Sequence, residues 1–178
     1  TMPSLVLPIV ILDVLSAKYT AYYYIASMIR NILLIIPLAT TQALLTEGSY
    51  NEAELKKHVK KAVVTTLLIL VPATVIVFFG SSTVLQLFGR NYATDASQFL
   101  QLYSVSTIFT ALLLLASAIM NIKHQIKSLI ILNVIAAICT LGMSCAFISG
   151  NLPGIGWGWL LGQILTGIIS IVFIIRDK

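Results

Sequence analysis

Charge is what these 178 residues have least of, and acidic charge above all. Asp and Glu number six against eleven Lys and Arg, and the four types together make up 10% of the chain. A soluble domain carries about 25% charged residues, because water must solvate its surface. The shortage, with 58% hydrophobic residues and a mean hydropathy of +0.99, excludes a water-facing surface and makes hydrocarbon the solvent. Other scarcities narrow the chemistry. His58 and His124 are the two histidines, set in separate basic stretches without a nearby Cys or carboxylate in the pattern a metal site needs. Cys139 and Cys145 lie six apart in one apolar run, roughly 9 Å along a helix axis. That is too far for a disulfide, so they read as small apolar fillers. No glycine loop for nucleotide phosphates is present, and no Ser, His and acid set can be placed at one membrane depth. No cofactor is implied and an enzyme is not expected.

The net charge of +5 does not point to nucleic acid, since phosphate binding needs a solvated basic fold with interleaved aromatics. In a membrane protein, excess Lys and Arg marks cytoplasmic loops. At roughly 20 residues per span, the length allows at most about seven crossings. Six apolar segments predict an all-α transmembrane bundle: helices over 2–17, 19–45, 61–80, 97–120, 127–148 and 154–175. The first is too short for a standard span, and the second must tilt, kink at Pro37 or protrude. With six crossings, Lys56, Lys57, Lys60 and Lys61, then Lys123 and Lys127, then Arg176 and Lys178 fall on one side. Lys18 and Arg90 fall on the other. Eight cations against two make the first side, and the C-terminus, cytoplasmic.

The connections carry their own signals. Ser49 with Glu52, and Asn51 with Glu54, are spaced as helix N-cap and N3 partners. Glu52–Lys56 and Glu54–His58 are i,i+4 pairs in the favourable order. A basic cytoplasmic linker helix over 46–61 is expected there, running into the third segment. Its four lysines anchor topology and would attract anionic lipid at ~1 kcal/mol each. On the opposite side, STVLQLF (82–88) reads as a short interfacial helix, Gly89 as a left-handed C-cap, and Thr94 or Asp95 as the next N-cap. Trp157 and Trp159 suit headgroup depth. Gly154, Gly158 and Gly162 recur every four residues, a stripe on which another helix can approach closely or hinge.

Among the polar residues inside the spans, most hydroxyls can bond their own backbone or glue helices together. Asn31, Gln42, Asn121, Asn133 and Gln163 are the embedded amides, and Arg30 is the one deep charge. Counting ~1.5 Å per residue, Arg30 lies roughly 16 Å from the start of its helix, too deep to snorkel outward, so it faces protein or a wet cavity. Two readings stay open. In one, Arg30 pairs with Asp13 or caps backbone carbonyls freed by Pro37. In the other, Arg30 and Asn31 line a hydrated cavity whose guanidinium fork receives an anionic group such as phosphate.

The run AYYYIASMIRNILLIIPLATTQALLTEGSYNEAELKKHVKKA (21–62) resembles the eighth-helix region of prokaryotic polysaccharide and oligosaccharide flippases. These belong to the superfamily that also contains the multidrug and toxin extrusion transporters. The matching features are Tyr24 with Ala26, Ile36–Pro37, and Glu47 to Ser49 leading into the lysines. Further on come Pro72, LFGRNY (Leu87 to Tyr92) and the glycine-rich opening of the last helix. The resemblance covers essentially the whole chain. It implies the C-terminal lobe of a two-lobe transporter, with the first helix truncated. The N-terminal lobe would lie in the same polypeptide or a second chain. It further implies that a lipid-linked sugar is flipped across a prokaryotic cytoplasmic membrane by alternating access, with membrane lipids as the other partner. Arg30 is not part of the resemblance; its assignment rests on physics alone. A drug or cation antiporter of the same superfamily would need intramembrane acids, for which Asp13 is the one candidate. A non-transporting scaffold subunit is the reading from another class.

Overall fold

A computed structural model describes the backbone of residues 2–50 and 54–176, and side chains within 3–48 and 54–172. Seven α-helices follow in order: α1 (Met2–Val14), α2 (Ala17–Tyr50), α3 (Leu55–Gln86), α4 (Arg90–Asp95), α5 (Ser97–Ile122), α6 (Ile126–Ala146) and α7 (Asn151–Arg176). A 3-10 turn over Ile148–Gly150 precedes α7. Five of them, α2, α3, α5, α6 and α7, are long and apolar enough to cross a bilayer, whereas α1 is shorter. The chain is an all-α, multi-pass membrane bundle.

Helix α5 is the axle. It packs against α2, α3 and α7, and α7 also lies along α6. The α6–α7 contact rests on the glycine stripe. A Cβ at Gly154 would meet the Phe147 carbonyl, one at Gly158 the Met143 carbonyl, and one at Gly162 would sit 2.6 Å from Thr140 Cα. The stripe is therefore a packing surface: with no side chains between them, the two backbones come close enough for dispersion to hold them.

The connections sort to two ends. The end of α2, the start of α3 and the turn after Ile122 share one, where Leu44, Leu55 and Ala62 pack on Ile119 and Ile122. Helix α4, the α1–α2 corner and Ile148 share the other, through Tyr22, Leu15, Tyr92 and Ala93. Lys56, Lys57, Lys60 and Lys61 are exposed at the first end together with Lys123 and Lys127, while Lys18 and Arg90 are at the second. For these eight cations, the segregation deduced from parity is a spatial fact of the fold; Lys178 and the Arg176 side chain lie outside the described residues.

Several local expectations are corrected. Within 46–61, α2 continues to Tyr50 and the helix that runs into the third segment begins at Leu55, where Leu44, Leu45, Leu55 and Val59 carry both apolar stripes to the end of α5. The capping pairs that involve Asn51 and Glu52 lie outside the described residues, as does Lys178. STVLQLF is not a free helix either. Buried Leu70, Thr74, Ser81 and Leu85 keep one helical face going, so α3 holds its period to Gln86. The short helix is α4. Gly89 starts it at φ 133° and ψ 152°, a glycine-only region away from the left-handed cap geometry. Helix α5 is preceded by Ala96 without a side-chain cap. Asp95 is drawn instead to Lys18 Nζ at 2.9 Å and Tyr22 Oη at 3.3 Å. Trp157 is exposed as a headgroup residue should be, but Trp159 is 1% exposed in the core. Helix α2 runs through Pro37 without a break, and Thr40, one turn on, reaches 3.1 Å from the Pro37 carbonyl and 2.6 Å from the Thr66 hydroxyl of α3.

Candidate functional site: a buried arginine in an apolar cleft

Helix α2 turns Arg30 toward α5, where the side chain is 4% exposed. Two forces hold it. Its Nη2 donates to Thr110 Oγ1 at 2.8 Å, and the guanidinium lies 4.6 Å from the centroid of the Tyr103 ring and 5.5 Å from that of Trp159. Such cation–π contacts give about 2 kcal/mol or more when desolvated. The aromatic seat is itself braced: Tyr103 stacks on Phe99 at 5.0 Å and meets Trp159 edge-on at 5.1 Å. The Tyr23 hydroxyl lies 3.3 Å from that of Tyr103.

From Thr110 a polar relay crosses the bundle. The Thr110 hydroxyl can donate to Gln163 Oε1 of α7 at 3.1 Å or to the Ser106 carbonyl at 3.0 Å. Gln163 Nε2 donates to Thr140 Oγ1 of α6 at 3.2 Å. Each of these residues sits near the middle of its helix, so four helices are joined at one depth. Burying an ion in a medium of low dielectric costs several kcal/mol even after relaxation. Two rings and one hydroxyl offset only part of that. Arg30 Nε is buried without a hydrogen-bond partner among the described residues.

The relay opens on a cleft of about 450 Å³ bounded by α1, α2, α5, α6 and α7. Arg30, Thr110, Gln163, Thr140 and Asn133 supply its polar atoms; Leu113, Leu129, Ile130, Val134 and two alanines supply its walls. This is the size and make-up of a small-molecule site: mostly apolar, with few convergent polar groups. No carboxylate lines it, so the cation is not neutralised by the protein among the described residues.

The sequence-predicted residues fare differently. Arg30 lines the cleft. Asn31, about 100° further round the helix, is exposed on the outer face of α2 and takes no part; Asn133 of α6 stands in its place. Asp13 is exposed at the end of α1 and does not pair with Arg30, nor does Arg30 reach the carbonyls around Pro37. Lys56, Lys57, Lys60 and Lys61 lie outside the cleft, at the basic end. His58 has the Glu54 partner that its spacing gave, at 3.9 Å from Nε2, and a second that it did not, Glu47 at 2.8 Å from Nδ1, because the end of α2 and the start of α3 converge. No metal-holding group of side chains occurs among the described residues. The residues the sequence reading left without a role are Thr110, Thr140, Gln163 and Tyr103, and Trp159 was placed at the headgroups instead of in the core. Gln163 carried the one usable signal: unlike Ser or Thr, a mid-span glutamine cannot easily satisfy itself on its own helix. No protein-family model, curated protein or solved structure matches this chain.

Proposed function

We propose that this chain is one lobe of a transporter that moves a lipid-linked oligosaccharide across a prokaryotic cytoplasmic membrane. Its basic end and C-terminus would face the cytoplasm. The observation that carries the reading is Arg30: a mid-span cation, buried, lining a cleft without an acid. An ionisable group at that depth is a functional group by default, and an arginine fork aimed at a cleft suits phosphate. Substrate sites of transporters of this kind lie near the midplane between two lobes. The second lobe is supplied by the same polypeptide or by another chain. The rival, a drug or cation antiporter, fits less well, because Arg30 repels organic cations and the exposed Asp13 is remote from the relay.

The test is reconstitution of the full-length protein in vesicles, supplied with a negatively charged lipid-linked oligosaccharide or with an organic cation. Movement of the former alone is expected. Movement of the cation, with the lipid-linked sugar left behind, would replace this reading by the antiporter; movement of neither would favour a scaffold.

A further inference from the structure

At the basic end, His58 stands between two acids that come from different helices. Its Nδ1 is 2.8 Å from Glu47 Oε2 of α2, and its Nε2 is 3.9 Å from Glu54 Oε2 of its own helix, α3. The imidazole is 20% exposed. Two lysines of α3 complete the cluster: Lys61 Nζ lies 3.9 Å from Glu47 Oε1, and Lys57 Nζ 3.5 Å from Glu54 Oε2. Both reach in from solvent, with side chains 72% and 78% exposed. Helix α5 packs on this end through Ile119 and Ile122, with Lys123 exposed just beyond. Beneath the cluster is a crevice of about 110 Å³ between α2 and α3, lined by Glu47, His58, Thr40, Ala43, Ala62 and Thr65. Further in, the Thr40 hydroxyl meets that of Thr66 at 2.6 Å, the next polar tie between the two helices.

We propose that His58 is a proton-operated clasp between α2 and α3, holding the crevice closed when the ring is charged and loosening it when the ring is neutral. A neutral imidazole carries one N–H. Donated from Nδ1 to Glu47, it leaves a lone pair on Nε2 turned toward the Glu54 carboxylate. A charged ring donates from both nitrogens, so an acid of each helix then faces a donor. Hydrogen bonds with both partners ionised are the strong ones. The lysines do not substitute for this. Two lysines already balance two carboxylates, so the proton acts by its position and not by net charge. The lysine amines are solvated and screened, whereas the ring sits between the helices. Histidine changes charge between about pH 5 and 8, where carboxylates and amines ordinarily do not. Because the closed form binds the proton more tightly, it is favoured on the acid side and lost as pH rises through that range. The inference rests on this geometry and is independent of what the protein transports.

Spin labels on Thr46→Cys of α2 and Val64→Cys of α3, both exposed and outside the cluster, measure the gap directly. The sample is full-length protein in phosphatidylcholine vesicles, with its other cysteines replaced. Between about pH 5.5 and pH 8, the ratio of short-distance to long-distance populations should fall at least about threefold. His58→Gln, which cannot titrate, should show the loose distribution at both values. His58→Arg, a permanent cation whose fork can serve both acids, should show the closed one at both. Glu47→Gln removes the acid on the opposite helix and should also lose the response, which keeps the test decisive if His58→Gln does not fold. A wild-type distribution that ignores pH overturns the proposal. So does a pH response that survives His58→Gln or Glu47→Gln.

Discussion

Helix α2 carries two cations, Lys18 and Arg30, and the protein treats them in opposite ways. Lys18 sits at the end of the helix with its side chain 56% exposed, 2.9 Å from Asp95. Its amine lies 5.5 Å from the Tyr22 ring. Arg30 sits in the middle, buried, with rings and a hydroxyl but no acid among the described residues. The exposed cation has the matching charge it scarcely needs, because exposed ion pairs contribute little. The buried one lacks the acid that would neutralise it. Stability alone would favour an apolar residue at position 30, since well-packed hydrophobes commonly match or exceed buried ions. The difference separates a pair that fastens α4 to the bundle from a buried charge that the described residues leave without an acid.

That comparison can be broken most severely at Arg30 itself. Arg30→Ala in the full-length protein should lower export of lipid-linked sugar at least about tenfold, the minimum expected when a buried charged contact worth more than 1.4 kcal/mol is lost. Membrane insertion should be unchanged, as judged by protease protection, and unaltered export would remove Arg30 from the mechanism. Next in size is the scaffold that holds the cleft shut on its α6–α7 side. Gly158→Ala drives a Cβ into the Met143 carbonyl and should cost about 1–3 kcal/mol, visible as a lower unfolding midpoint in mild detergent. Gly80→Ala, with open space around it, is the control. Thr110→Val sharpens the picture within the relay. It strips Arg30 of a hydrogen bond worth about 1.5–3 kcal/mol before repacking, so transport of the lipid-linked sugar should change more than the unfolding midpoint. An effect on stability alone would mark Thr110 as glue.

The smallest effect belongs to the exposed pair. The hydrogen bond from Lys18, followed by that from Thr94, holds the Asp95 carboxyl below its ordinary value of 3.8. A depressed carboxylate contributes stability above the unfolded value and loses it as pH falls through the folded one. Asp95→Asn should therefore lower the unfolding midpoint slightly at neutral pH and not at all in acid below the folded value. A gap between the two proteins that persists in strong acid would show that Asp95 acts through packing.

How much of this could be read in the residues depends on which direction is asked about. Position along the membrane normal was legible. Lys56 to Lys61, Lys123 and Lys127 marked one end, Lys18 and Arg90 the other, and six apolar runs marked six of the seven helices, α4 being the one misplaced. The glycines of α7 were legible as a close-packing face, though not their neighbour. Where local chemistry was read in isolation it misled: Asp95 suited an N-cap until Lys18 and Tyr22 reached it from another helix, and Trp159 suited the headgroups until α5 covered it.

The sequence alone determined the apolar solvent, most of the helices and which end of the bundle gathers the lysines, because these follow from how much charge there is and where along the chain it falls. Only the tertiary structure decided that Arg30 turns inward and Asn31 outward, and that Thr110, Gln163 and Thr140 meet at one depth. The reason is physical: in hydrocarbon the interior and exterior of a bundle are both apolar. Hydrophobic periodicity, which tells a soluble helix which way to face, has little left to report, and the radial direction of each side chain is settled by packing.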